Sequence, residues 1–142
     1  MKYINKDDLI TYIQEPLLDS CITGSTGVDE TILNNIESPV IDLVISYIGG
    51  RYNSSLIFAE TVIRNGILVQ IISMIVVYRV VRRNAARKVP EDITDLYNNT
   101  VKQLEKIQSG SQYLENLPII TKADGTTPKL AYGNSTNKNY FI

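Results

Sequence analysis

From Gly66 to Tyr78 the chain reads Gly-Ile-Leu-Val-Gln-Ile-Ile-Ser-Met-Ile-Val-Val-Tyr, thirteen residues without a charge, and then turns basic. A helix that crosses a bilayer needs about 20 apolar residues. This stretch is shorter and carries Gln70 and Ser73, so it predicts a buried helix and no membrane partner. Followed outwards by its periodicity, the helix is expected from Phe58 or Thr61 to Arg87. Ile63, Ile67, Leu68, Ile71, Ile75 and Tyr78 share one face, while Val62, Val69, Met74, Val76, Val77, Val80 and Val81 spread over the rest. A helix apolar on two sides needs two partners. One is the chain's own core, and a neighbouring subunit is the candidate for the other.

The flanking segments are helical as well. Asn5 is placed to cap a short first helix with Asp7 and Asp8 in its first turn. A second short helix spans Pro16 to Ile22, the loop Thr23 to Gly27 follows, and Asp29 caps the next helix. There Ile32, Leu33, Ile36, Val40, Leu43, Val44, Tyr47 and Ile48 recur at spacings of three and four. Pro39 interrupts this pattern and predicts a kink or two abutting helices. After a loop around Asn53 comes the long helix. Pro90 opens the last helix, whose stripe is Ile93, Leu96, Tyr97, Val101, Leu104 and Ile107, and Gly110 closes it as the residue after the cap. The expected fold is all-α: a small bundle of four to five helices around one long apolar helix, in a domain of residues 1–110. Residues 111–142 form an extended C-terminal arm, rich in Asn, Thr, Ser, Gly and Lys. Asp124-Gly125 in it is a weak signal for a short β-hairpin, which Pro128 restricts to an edge.

At 142 residues the chain is one core with appendages. The net charge of -1 conceals an uneven distribution, since residues 1–60 carry -6, residues 61–90 carry +6, residues 91–115 carry -3 and residues 116–142 carry +2. Histidine is absent, which removes the commonest general base and metal ligand, and Cys21 stands alone, so no intrachain disulfide can form. Met1 to Asp8 lacks the apolar core of a signal peptide. No catalytic, cofactor-binding or metal-ligating set is expected. The pairs Asp7-Asp8, Asp29-Glu30 and Glu91-Asp92 fall in predicted first turns, where carboxylates complement the helix dipole. Without a base beside it, Cys21 reads as a small buried residue and not as a nucleophile.

Three groups remain as candidate sites. Gly49-Gly50-Arg51-Tyr52 follows a helix and lacks the lysine of a phosphate loop, so it reads as a helix end, with one glycine left-handed and Arg51 facing the negative end of the dipole. Arg79, Arg82, Arg83, Arg87 and Lys88 place five cations in ten residues at the end of the long helix. That cluster serves dipole complementation and solubility, or else forms a basic surface for acidic faces of neighbouring subunits or for DNA. In the arm, Leu130, Tyr132, Tyr140, Phe141 and Ile142 pack back onto the domain or anchor onto another protein.

The order of these motifs carries a resemblance. Tyr3-Ile-Asn-Lys-Asp-Asp-Leu9, then Ile41-Asp-Leu-Val-Ile-Ser-Tyr-Ile-Gly-Gly-Arg-Tyr52, a long apolar helix ending Tyr78-Arg-Val-Val-Arg-Arg83, and the Val89-Pro-Glu-Asp to Gly110 helix together resemble a family of small Mu-like prophage proteins. That family is similar to head-tail connector proteins of tailed phages. The resemblance covers residues 1 to about 112; the loop Asn53 to Phe58 departs from it by lacking the usual proline. It implies a helical ring, commonly of twelve subunits, that sits beneath the portal and extends the DNA channel. Its implied partners are copies of itself, the portal protein, the next neck or tail protein and, non-specifically, DNA. It further implies a place in the neck of the virion, after assembly in the host cytoplasm. The alternatives are another neck component, such as a tail terminator or stopper, and a helical DNA-binding regulator. An enzyme ranks last.

Overall fold

The computed structural model describes residues 1–24, 27–84 and 89–121. In chain order it contains α1 (Lys6–Ile10), α2 (Glu15–Cys21), β1 (Thr23–Gly24), β2 (Gly27–Val28), α3 (Thr31–Ile48), α4 (Ser54–Ile57), α5 (Gly66–Asn84) and α6 (Glu91–Ser109). The all-α expectation is met, with a minimal antiparallel pairing of β1 on β2 where a loop was expected.

The start of α1 follows the side chains available to cap it. Asn5 Oδ1 accepts from the Asp8 N–H at 2.9 Å and Asp8 Oδ2 accepts from the Asn5 N–H at 2.7 Å, a reciprocal box that defines α1. Asp29 lies two residues before α3, where its Oδ1 accepts from both the N–H and the hydroxyl of Thr31. The Thr31 hydroxyl and then the Thr31 N–H hold the Asp29 carboxyl below its ordinary value. A depressed carboxyl contributes stability that is present above the unfolded value of about 3.9 and lost as pH falls through the folded one. Asp29→Asn should therefore lower stability modestly in the neutral region and flatten the acid limb, so that the two profiles converge below about pH 4. Titration of the denaturant midpoint in both proteins checks this.

α3 runs through Pro39 as one helix, not as two abutting pieces. Proline removes one N–H from the ladder. Leu33 and Glu37 before it and Val40, Ile41, Val44 and Ile48 after it are all buried, so burial on both sides keeps the element continuous. α6 ends as expected, with Gly110 left-handed at φ 84°.

α5 lies at the centre and packs against α1, α2, α3 and α6. Leu68, Ile71, Ile72, Ile75, Val76 and Val80 are fully buried, and so is Ser73, whose hydroxyl has no partner among the described residues. Both apolar sides are thus covered by the chain's own helices. The apolarity of α5 gives no ground for a subunit contact. Against α6, Tyr78 stacks on Tyr97 at 4.2 Å, and the buried Thr100 hydroxyl lies 2.7 Å from the Leu96 carbonyl and 3.2 Å from Met74 Sδ.

α5 starts at Gly66, later than the periodicity predicted. Asn65 Oδ1 accepts from the N–H groups of Ile67 and Leu68 and so caps the helix, while residues 58–65 cross the surface unwound. The expected far end at Arg87 lies outside the described residues. The segment after α6 does not leave the body at once: Leu114 and Leu117 are buried in the core, so residues 111–121 pack as part of it. The Asp124-Gly125 hairpin signal lies outside the described residues.

Candidate functional site

The turn at Gly49-Gly50-Arg51-Tyr52 does not use a left-handed glycine. Gly49 has φ -63° and ψ -15°, and among the described residues only Gly27 and Gly110 have glycine φ values in the positive region. The helical winding simply continues, with the N–H groups of Arg51 and Tyr52 both donating to the Ile48 carbonyl at 2.9 Å. Gly49 is required for a different reason: a Cβ there would stand 2.8 Å from the Ile45 carbonyl oxygen.

The turn fastens the end of the described chain. Tyr52 is buried, and its hydroxyl accepts from the Leu114 N–H at 2.8 Å. The Asn53 N–H donates to the Pro118 carbonyl at 2.8 Å and the Ile120 N–H to the Arg51 carbonyl at 3.0 Å, forming an antiparallel bridge between Tyr52 and Ile119. The Arg51 guanidinium lies against Gly110 at the C-terminus of α6. An ideal Cβ on Gly110 would fall 2.0 Å from an Arg51 terminal nitrogen. A cation there complements the carbonyl end of α6. Gly110→Ala would therefore impose both a left-handed alanine, at about 1–2 kcal/mol, and a displaced guanidinium. In an Arg51→Ala background only the first cost should remain, so the two substitutions are expected to be non-additive in a double-mutant cycle.

Of the basic cluster, Arg82 and Arg83 are exposed and Arg79 is half-buried; Arg87 and Lys88 lie outside the described residues. Arg83 has a structural task, since it donates to the Cys21 carbonyl at 2.9 Å and joins the end of α5 to that of α2. The arm residues Leu130, Tyr132, Tyr140, Phe141 and Ile142 all lie outside the described residues. Exposed apolar side chains at the start of that segment are Tyr113 and Ile119.

Sequence reasoning missed Glu37. It sits on the buried stripe of α3, 2% exposed, and its carboxylate accepts three backbone N–H groups: Lys2 at 2.5 Å, Tyr3 at 2.8 Å and Ile4 at 2.9 Å. Lys2 Nζ donates to the Phe58 carbonyl at 2.6 Å. The Tyr3 hydroxyl donates to the Ile63 carbonyl and accepts from the Asn65 N–H, both at 3.0 Å. Burial raises the Tyr3 phenol above its ordinary value. The only signal in the sequence was an acid in the register of Leu33, Val40 and Val44. Beside this clamp lies an open groove of about 640 Å³, lined by Lys2, Asn34, Asp42, Ile45, Ser55 and Phe58 among others.

No three His, Cys, Asp or Glu side chains among the described residues gather as a metal site, and Cys21 is buried. Asp7, Asp8, Glu91 and Asp92 occupy first turns of helices, as their positions in the sequence implied, whereas Asp29 and Glu30 precede the first turn of α3. No described helix is long and apolar enough to cross a membrane. These features define a helical bundle with a closed core and a charged exterior. The model of the family described as Bacteriophage Mu, Gp36 matches residues 3–125, and the chain belongs to that family. It is thus a protein of the bacteriophage type, in a family that suggests a structural or morphogenesis role. No curated protein matches the chain.

Proposed function

We propose that the chain is a head-tail connector subunit: a structural virion protein that forms a ring, binds the portal and links the capsid vertex to the tail around the DNA channel. Family membership over residues 3–125 carries this reading. The surface is compatible with it, because exposed Arg82 and Arg83 on α5 and the acidic start of α6 at Glu91 and Asp92 offer opposite charges to neighbouring copies. Closed rings use heterologous contacts, which such asymmetry suits. Residues 122–142, which hold Leu130, Tyr132, Tyr140, Phe141 and Ile142, are assigned the contact with portal or a neighbour. Other neck roles, terminator or stopper, differ in binding the tail tube in place of portal.

The test is light scattering on the purified chain, alone and mixed with its portal. A ring, or a monomer recruited stoichiometrically to portal, is expected. A monomer that ignores portal and binds DNA with a steep salt dependence would replace the connector by a DNA-binding regulator. Because Leu114 and Leu117 belong to the core, the arm deletion must begin after Thr121. That truncation should stay folded and fail to assemble; normal assembly would remove the arm from the mechanism.

A further inference from the structure

Residues 59–65, Ala-Glu-Thr-Val-Ile-Arg-Asn, contain neither glycine nor proline, and Ile63 stands four residues before Ile67, so the α5 pattern runs on through them. Yet they are unwound. What holds them open comes from the N-terminal segment. The Tyr3 hydroxyl occupies the Ile63 carbonyl and the Asn65 N–H, the Asp8 carboxylate holds Arg64 at 2.9 Å, and Lys2 Nζ holds the Phe58 carbonyl at the entrance. Glu37 in turn pins that segment through the N–H groups of residues 2–4.

Two glycines bracket the region without an evident task in this state. A Cβ on Gly50 or on Gly66 would meet nothing within 4 Å, and neither has a positive φ. The fold as it stands does not require glycine at either position.

We propose that residues 59–65 are a conditional helix, unwound while residues 1–8 are strapped to Glu37, and that lifting of the strap winds them onto the N-terminus of α5. The ladder is already seeded there, since the Val69 N–H donates to the Asn65 carbonyl at 2.9 Å. Winding replaces the Asn65 cap with main-chain bonds and stacks Ile63, 38% exposed here, above Ile67. Seven residues span at most about 25 Å extended and about 10 Å as helix. Winding therefore draws α4 toward α5, while the bonds of residues 51–53 to residues 114–120 fix the far end of the segment. The inference rests on this geometry alone and stands apart from the connector reading.

Substitutions at Gly66 separate the two states. As the first residue of α5, Gly66 has an N–H with no partner among the described residues, and proline is tolerated at such a position. In the wound state the same position is helix interior, where proline breaks the helix and alanine outdoes glycine about fivefold per residue. The strap is loosened with Tyr3→Phe, which removes two hydrogen bonds and keeps the ring against Phe58, 5.0 Å away. Backbone ¹³C shifts of residues 59–65 are the readout. Helical shifts should appear in Tyr3→Phe, increase about fivefold in population with Gly66→Ala added, and vanish with Gly66→Pro added while α6 keeps its spectrum. Gly66→Ala alone, in an otherwise unaltered chain, should raise the same shifts in the same direction. Loss of exchange protection without helical shifts in the Tyr3→Phe, Gly66→Ala protein would overturn the proposal. So would an unchanged segment there, or helical shifts that survive Gly66→Pro.

Discussion

Replacing Glu37 with leucine should destabilise the protein by about 3–5 kcal/mol, because the N–H groups of Tyr3 and Ile4 would remain buried with no acceptor and that of Lys2 partly so. Leucine fits the apolar register of α3 but offers nothing to those donors. Glutamine keeps one oxygen for Tyr3 and Ile4 and turns an N–H₂ donor toward Lys2, so its cost should be smaller, about 1–3 kcal/mol. Denaturant midpoints for the three proteins rank the effects. Equal stability of the leucine variant and the original would mean that the carboxylate does not hold the N-terminal segment.

The second large effect is expected at Tyr52. Tyr52→Ala removes a fully buried ring and should cost about 3–5 kcal/mol. Tyr52→Phe isolates the hydroxyl: it leaves the buried Leu114 N–H unpaired, at a cost of about 1–3 kcal/mol. Hydrogen exchange distinguishes a local from a global role. If the turn is the clasp for residues 112–121, Tyr52→Phe should speed exchange at Leu114 and Ile120 more than at Ile75 in the centre of α5. Uniform acceleration would make Tyr52 an ordinary core residue.

Much of the bundle was legible because its signals are local. Asn5 with Asp8, the proline before α6 and Gly110 after it each act within a few residues, and the α6 stripe buries Leu104 and Ile107 as its spacing implies. The errors arise where distant segments intervene. Residues 58–65 have helical spacing, but Tyr3 and Asp8 compete for their polar groups from some 60 positions away. Gly49-Gly50 looked like a left-handed cap, whereas the crowding at the Ile45 carbonyl accounts for Gly49 in an ordinary helical conformation. Arg51 follows α3 in sequence, yet its guanidinium lies against Gly110 at the end of α6, a proximity that local spacing does not encode. Glu37 was invisible because an acid on an apolar stripe acquires meaning only when three amides arrive from the other end of the chain.

The central position of α5 has a consequence for synthesis. α1, α2 and α3 precede it and can shelter one side as soon as it forms, but the opposite side waits for α6 and for Leu114 and Leu117. Between Asn84 and Thr121 the ribosome adds nearly forty residues, about 2–7 s at ordinary elongation rates. α5 and its later cover leave the ribosome with the same spacing, so for about that long the emerged helix presents a row of valines and isoleucines that α6 has not yet covered. Codon choice and chaperone supply over that stretch should therefore govern the yield of soluble protein more than they do over any other part of the message.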